Sequence, residues 1–162
     1  MFLVLAGTFL HETEQNLQSM RAGSVIVSQP GQKHAVKQPS EARIVCVRYL
    51  PEWLANDIHI IMESPDLLSL FFGGALFDQP VTNGLQIVSL KREAFNFVTS
   101  DLTVIMDQLK RDSIDESLTR LTLLKMFLHI ADEHSDNWHQ RGKIDLRNEI
   151  LTAMRAVEGG IR

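Results

Sequence analysis

The sequence predicts an α+β domain: a small antiparallel β-barrel followed by an α-helical hairpin. Three observations lead there. Up to residue 50, short β-rich apolar runs alternate with turn residues, the pattern of a small barrel or sandwich. Beyond Pro51 the apolar spacing lengthens to that of helices. The chain is also long enough, at 162 residues with 44% hydrophobic and 22% charged, to bury one core without disulfides or a metal staple.

Residues 1–6 read as an apolar strand broken by Gly7, and residues 8–13 as a second, closed by a turn at 14–16. Residues 17–20 lead into another turn signal, Arg21-Ala22-Gly23. Residues 24–28 form a β-branched strand stopped by Gln29-Pro30-Gly31, where proline presets φ and glycine accepts a positive one. A short strand at 34–37 ends at Gln38-Pro39-Ser40, and residues 42–49 give the longest β run.

Residues 52–63 then read as a short helix. Ser64-Pro65-Asp66 is a stop followed by a fresh N-cap. Apolar residues 67–77 suggest short helical turns packed on the barrel, and 86–90 one more strand. Residues 91–111 predict a long helix, because Phe95, Val98, Leu102, Ile105 and Leu109 repeat at a 3,4 spacing and so form one seam. Ser113 or Asp115 caps a second helix that runs to about residue 134. It is apolar on two adjacent faces, Leu118, Leu121, Leu124 and Leu128 on one and Leu123, Phe127 and Ile130 on the other. Residues 135–143 read as a linker, and 145–157 as a final amphipathic helix carrying Ile150, Leu151, Met154 and Val157. The organisation expected is a barrel over 1–50, a helical region with one short strand over 51–134, and a linker with a terminal helix over 135–162.

Charge narrows the function. Sixteen Lys and Arg against 20 Asp and Glu leave a net charge of −4, whereas a domain that binds DNA by itself carries a basic face. The single cysteine, Cys46, excludes an internal disulfide and fits a reducing cytoplasm. Set in the run Ile44-Val45-Cys46-Val47, it reads as a buried, inert thiol. The apolar opening lacks the basic flank and cleavage site of a signal peptide, and no run approaches the length of a membrane span. The expectation is a cytoplasmic domain. A nucleophile elbow and a phosphate-binding glycine loop are both missing from the sequence.

Ala22-Gly23-Ser24-Val25-Ile26-Val27-Ser28-Gln29-Pro30-Gly31-Gln32-Lys33-His34 resembles the second motif of the cupin superfamily: a turn glycine, an apolar strand, a Pro-Gly turn, then a histidine at the next strand. Followed by Arg48-Tyr49-Leu50-Pro51, Leu67-Leu68-Ser69-Leu70-Phe71 and the helical pair, the order of elements is similar to the N-terminal sensing and dimerisation domain of AraC/XylS-type transcription regulators. The resemblance implies a cupin-like, partial barrel that takes a small-molecule effector, a hairpin that pairs two subunits, and DNA contact only through a helix-turn-helix domain not present in this sequence. Metal-dependent cupins add a His-x-His pair and a Glu in a first motif closed by a glycine. With that glycine at Gly7, those positions fall at or before residue 1. His34 alone does not make a catalytic metal site, which generally needs three protein ligands. No catalytic residue, metal or cofactor is therefore expected.

The residues expected to contact an effector are His34, His11, Arg43 and Arg48. His34 starts a strand beyond the Pro-Gly turn, where its ordinary alternative is a backbone hydrogen bond. His11 and Glu12 point to opposite faces of their strand. Arg43 and Arg48, at odd spacing, also face opposite sides, and one turned inward would hold an anion bidentately. The Phe95, Val98, Leu102, Ile105 and Leu109 stripe has two readings, one half of an intramolecular hairpin or the interface of a homodimer. Two rivals remain, a metal-dependent cupin dioxygenase or isomerase and a pure dimerisation module.

Overall fold

The computed structural model describes residues 1–14, 16–28, 31–72 and 86–138. Five strands, β1 (Phe2–Thr13), β2 (Leu17–Arg21), β3 (Ser24–Val27), β4 (His34–Cys46) and β5 (Gln86–Ser89), form one antiparallel sheet. β4 lies along one edge of β1. β2 and β3 share the other edge, and β5 pairs with β3.

Two expected breaks are not breaks. β1 runs straight through Gly7, which sits at φ +70° where a Cβ would collide with the backbone of Ser40 and Glu41 on β4. Only glycine lets the strand bend there and stay paired. Residues 34–37 and 42–49 belong to one strand, β4. It passes Gln38-Pro39-Ser40 by taking left-handed backbone at Gln38 and Glu41, in the stretch where its register with β1 shifts. The turn at Ala22-Gly23 separates β2 from β3 as expected, but β2 and β3 both run antiparallel to β1, and the Gly23 N–H donates to the Val4 carbonyl at 3.0 Å, so the two strands follow one return path.

The sheet curls strongly. Fully extended, the distance from Phe2 to Thr13 would be roughly 36 Å. Yet the ring of His34, paired in register with Thr13, lies 5.0 Å from the ring of Phe2. The curl encloses a small core of Val4, Phe9, Met20 and Ile26, all from strands. This half-barrel interior is filled by its own side chains.

The other sheet face carries the larger core. Leu3, Val25, Val27 and Val88 meet Leu54, Ile61, Leu67, Val98, Leu102, Leu123, Phe127 and Ile130 from the helices. The expected helix over 52–63 splits into a 3-10 segment (Pro51–Asp57) and α1 (Ile58–Glu63). Ser64 caps α2 (Pro65–Leu67) as expected, its Oγ accepting from the Leu67 N–H at 3.4 Å, and a wide π turn (Leu68–Phe72) follows. The hairpin is α3 (Arg92–Leu109) and α4 (Glu116–Trp138). Of the two candidate caps it is Asp115 whose Oδ1 accepts from the Leu118 N–H, at 2.9 Å. α4 passes residue 134, so the start of the expected linker is helical. The rest of that linker, the terminal helix at 145–157 and residues 73–77 lie outside the described residues. Residues 1–50 and 51–134 share one core, and β5 of the second stretch completes the sheet of the first.

Candidate functional site

The strand alternation of β4 continues past its end. Val45, Val47 and Tyr49 turn to the core, while Cys46, Arg48 and Leu50 turn outward. Trp53 of the 3-10 segment, Leu102, Ile105, Met106 and Leu109 of α3, and Thr119 and Leu123 of α4 face the same space, closing a groove of about 560 Å³. That volume lies within the range of small-molecule sites. Two of its polar groups are already engaged. The Tyr49 hydroxyl donates to the Phe71 carbonyl at 3.0 Å, and the Thr119 hydroxyl donates to the Asp115 carbonyl at 2.8 Å. Burial pushes the Tyr49 phenol well above its ordinary value, which keeps it a neutral donor. Among the described residues of the lining, Arg48 is the one that carries a charge.

Cys46 corrects an expectation. It is exposed, because period-two alternation turns it away from the core that Val45 and Val47 enter. An apolar run does not by itself say which of its residues faces in.

The two histidines come together. His11 on β1 is 2% exposed, and its Nε2 lies 3.1 Å from the Nδ1 of His34, which opens β4. The contact follows from the register that sets His11 opposite Val36 and Thr13 opposite His34. Phe2 and Phe9 make T-shaped contacts with His34 and His11, respectively. Burial first, and the neighbouring His34 second, hold the His11 imidazole below its ordinary value. Glu12 points to the opposite face and pairs with Lys37 at 3.1 Å.

The four expected effector residues do not form one site. Arg43 is exposed on β4 and does not line the groove. Arg48 does, at the opposite end of β4 from His34. The expected dimer stripe is divided as well: Val98, Leu102 and Ile105 are buried within the chain, Phe95 is half-buried, and Leu109 is 60% exposed. Besides Leu109, the hairpin exposes apolar residues off the stripe, at Phe97, Val104 and Met106 on α3 and at Leu118 and Leu121 on α4. The Phe97–His129 ring stack and the Lys125–Asp101 pair hold those two flanks together.

Several working residues gave no sequence signal. Asp57 and Arg120 form a nearly buried ion pair, Nε to Oδ2 at 2.6 Å, across 63 positions. Asp101 and Gln108 sit on the buried face of α3, two polar positions that interrupt no apolar repeat because they fall between its members. Trp53, isolated in sequence, is a wall of the groove. His134, which the sequence places at a polar helix end, is buried, and that burial holds its imidazole below the ordinary value.

Among the described residues, no three His, Cys, Asp or Glu side chains gather as a metal ion would require, and no helix is long and apolar enough to cross a membrane. No family model, curated protein or solved structure matches the chain.

Proposed function

We propose that this chain is the effector-sensing and dimerisation unit of an AraC-type transcription regulator, without catalytic activity, acting on DNA through helix-turn-helix units attached to it. The observation that carries this reading is the shared wall of the groove. One side is the segment leaving the sheet, Val45 to Leu50, and the other is the hairpin, through Leu102, Ile105, Met106 and Leu123. A molecule seated between them bears on both, so it favours one packing of sheet against hairpin over another. A differential affinity worth about 1–3 kcal/mol is enough for such a switch.

The hairpin supports the second half of the reading. Phe97, Val104, Leu118 and Leu121 are each more than a third exposed, a face suited to a second copy of the chain. The effector site in this reading is the groove and not the half-barrel interior, which Val4, Phe9, Met20 and Ile26 fill.

Native mass spectrometry of the gently desalted protein tests the proposal. A dimer carrying a small organic mass is expected. A monomer holding a stoichiometric transition metal would overturn it in favour of a metal-dependent cupin enzyme. A nitroxide at Arg111→Cys in a Cys46→Ser background then reads the distance between hairpins. If saturating ligand leaves that distance unchanged, the switching half fails.

A further inference from the structure

We propose that the groove takes an amphipathic monoanion, an organic acid whose apolar body lies against Trp53, Leu102, Ile105 and Leu123 and whose acid group is held by Arg48. This rests on the sensor reading, because it names the class of effector for the site proposed there.

The chemistry of the lining argues for it. Apolar side chains dominate the walls, so a polyhydroxylated solute would lose its hydration without regaining hydrogen bonds. The Tyr49 hydroxyl is already spent on Phe71 and that of Thr119 on Asp115. Neither is left free to donate to a ligand. Arg48 is different. It is exposed at the groove, and among the described residues no carboxylate pairs with it. Its guanidinium offers a planar fork that matches a carboxylate or another acid group. A cation would be repelled there, and a neutral ligand would make no use of it. A second anionic charge would have to lie on the apolar wall, where desolvation opposes it. One acid group at one end of an apolar body is what remains.

Fluorescence of Trp53 tests this directly, since the chain has two tryptophans and a Trp138→Phe background leaves Trp53 as the only indole. The probes are phenylhexanoate and its neutral and cationic counterparts, phenylhexanol and phenylhexylamine. Phenylhexanoate is expected to bind about tenfold or more tighter than phenylhexanol, with the amine weakest. Arg48→Gln should bring the acid down to the level of the alcohol and leave the alcohol unchanged. Met106→Tyr, at a half-exposed position of the lining, adds bulk without a second indole and should block all three without lowering the melting temperature. Equal binding of acid and alcohol, no effect of Arg48→Gln, no effect of Met106→Tyr, or no binding by any probe would each overturn the inference.

These failures differ from failure of the sensor reading. If the acid binds and the distance between hairpins does not change, the ligand class stands and sensing falls. If a neutral sugar-sized mass appears in the native spectrum and shifts that distance, sensing stands and the monoanion falls.

Discussion

The Nε2 of His11 and the Nδ1 of His34 lie 3.1 Å apart, linking a buried ring on β1 to an exposed ring on β4. One nitrogen donates and the other accepts, so the pair works only while at least one imidazole is neutral. Protonating both sets two donors face to face.

This gives a pH dependence of definite sign. His11 is held below its ordinary value of 6.5, so the unfolded chain takes up that proton more readily than the folded one. Stability is therefore full above the ordinary value and is lost as pH falls from there through the depressed folded value. Melting temperature should fall between about pH 7 and about pH 5, and His11→Gln should flatten that slope. Part of the slope should survive, because His134 is depressed in the same direction. A variant that melts with an unchanged pH profile would show that the pair does not titrate with folding.

Arg120 ties α4 to the 3-10 segment through Asp57, with the two side chains 19% and 10% exposed. Arg120→Met strands a buried carboxylate and should cost about 3 kcal/mol in urea denaturation. Adding Asp57→Asn to that variant should recover part of the loss, since it removes the uncompensated charge.

Gly7 and Gly31 both hold positive φ, yet their surroundings differ. A Cβ at Gly7 meets the β4 backbone, while at Gly31 nothing lies within 4 Å. Gly31→Ala should cost about 1 kcal/mol, the left-handed penalty alone. Gly7→Ala should cost more than about 2 kcal/mol and loosen the β1–β4 pairing, measurable as faster amide exchange there. Equal costs would mean that the bend at Gly7 is not sterically enforced.

Leu118 and Leu121 are exposed on α4, whereas Leu102 is buried on α3. If the outer hairpin face pairs two subunits, Leu118→Glu with Leu121→Glu should yield a monomer by light scattering while the folded protomer keeps its circular dichroism. Leu102→Lys should instead unfold the chain, because it buries a charge in the core. A dimer that survives the double glutamate change would place the interface elsewhere.

Cys46 is exposed at the groove, so its thiol should react with a disulfide reagent in the folded protein as fast as in denaturant. A ligand in the groove should slow the reaction. Protection in the absence of ligand would contradict the outward alternation of Cys46, Arg48 and Leu50.

What the sequence determined is local in origin. The seam on α3, the caps at Ser64 and Asp115 and the strand at β5 are legible because their hydrogen bonds and apolar periods act within a few residues. The tertiary structure decided the rest. Gly7 reads as a break in sequence, but it is a bend once β4 lies close enough for a side chain to collide. His11 and His34 become partners only through the register between β1 and β4, and Asp57 finds Arg120 across 63 positions. The groove, too, is assembled from three stretches of chain that no local period connects. In the stripe of five apolar positions on α3 the sequence shows which residues share a face. Only packing against α4 and the sheet decides that Val98, Leu102 and Ile105 are buried while Leu109 stays in solvent, because burial is a property of neighbours and not of spacing.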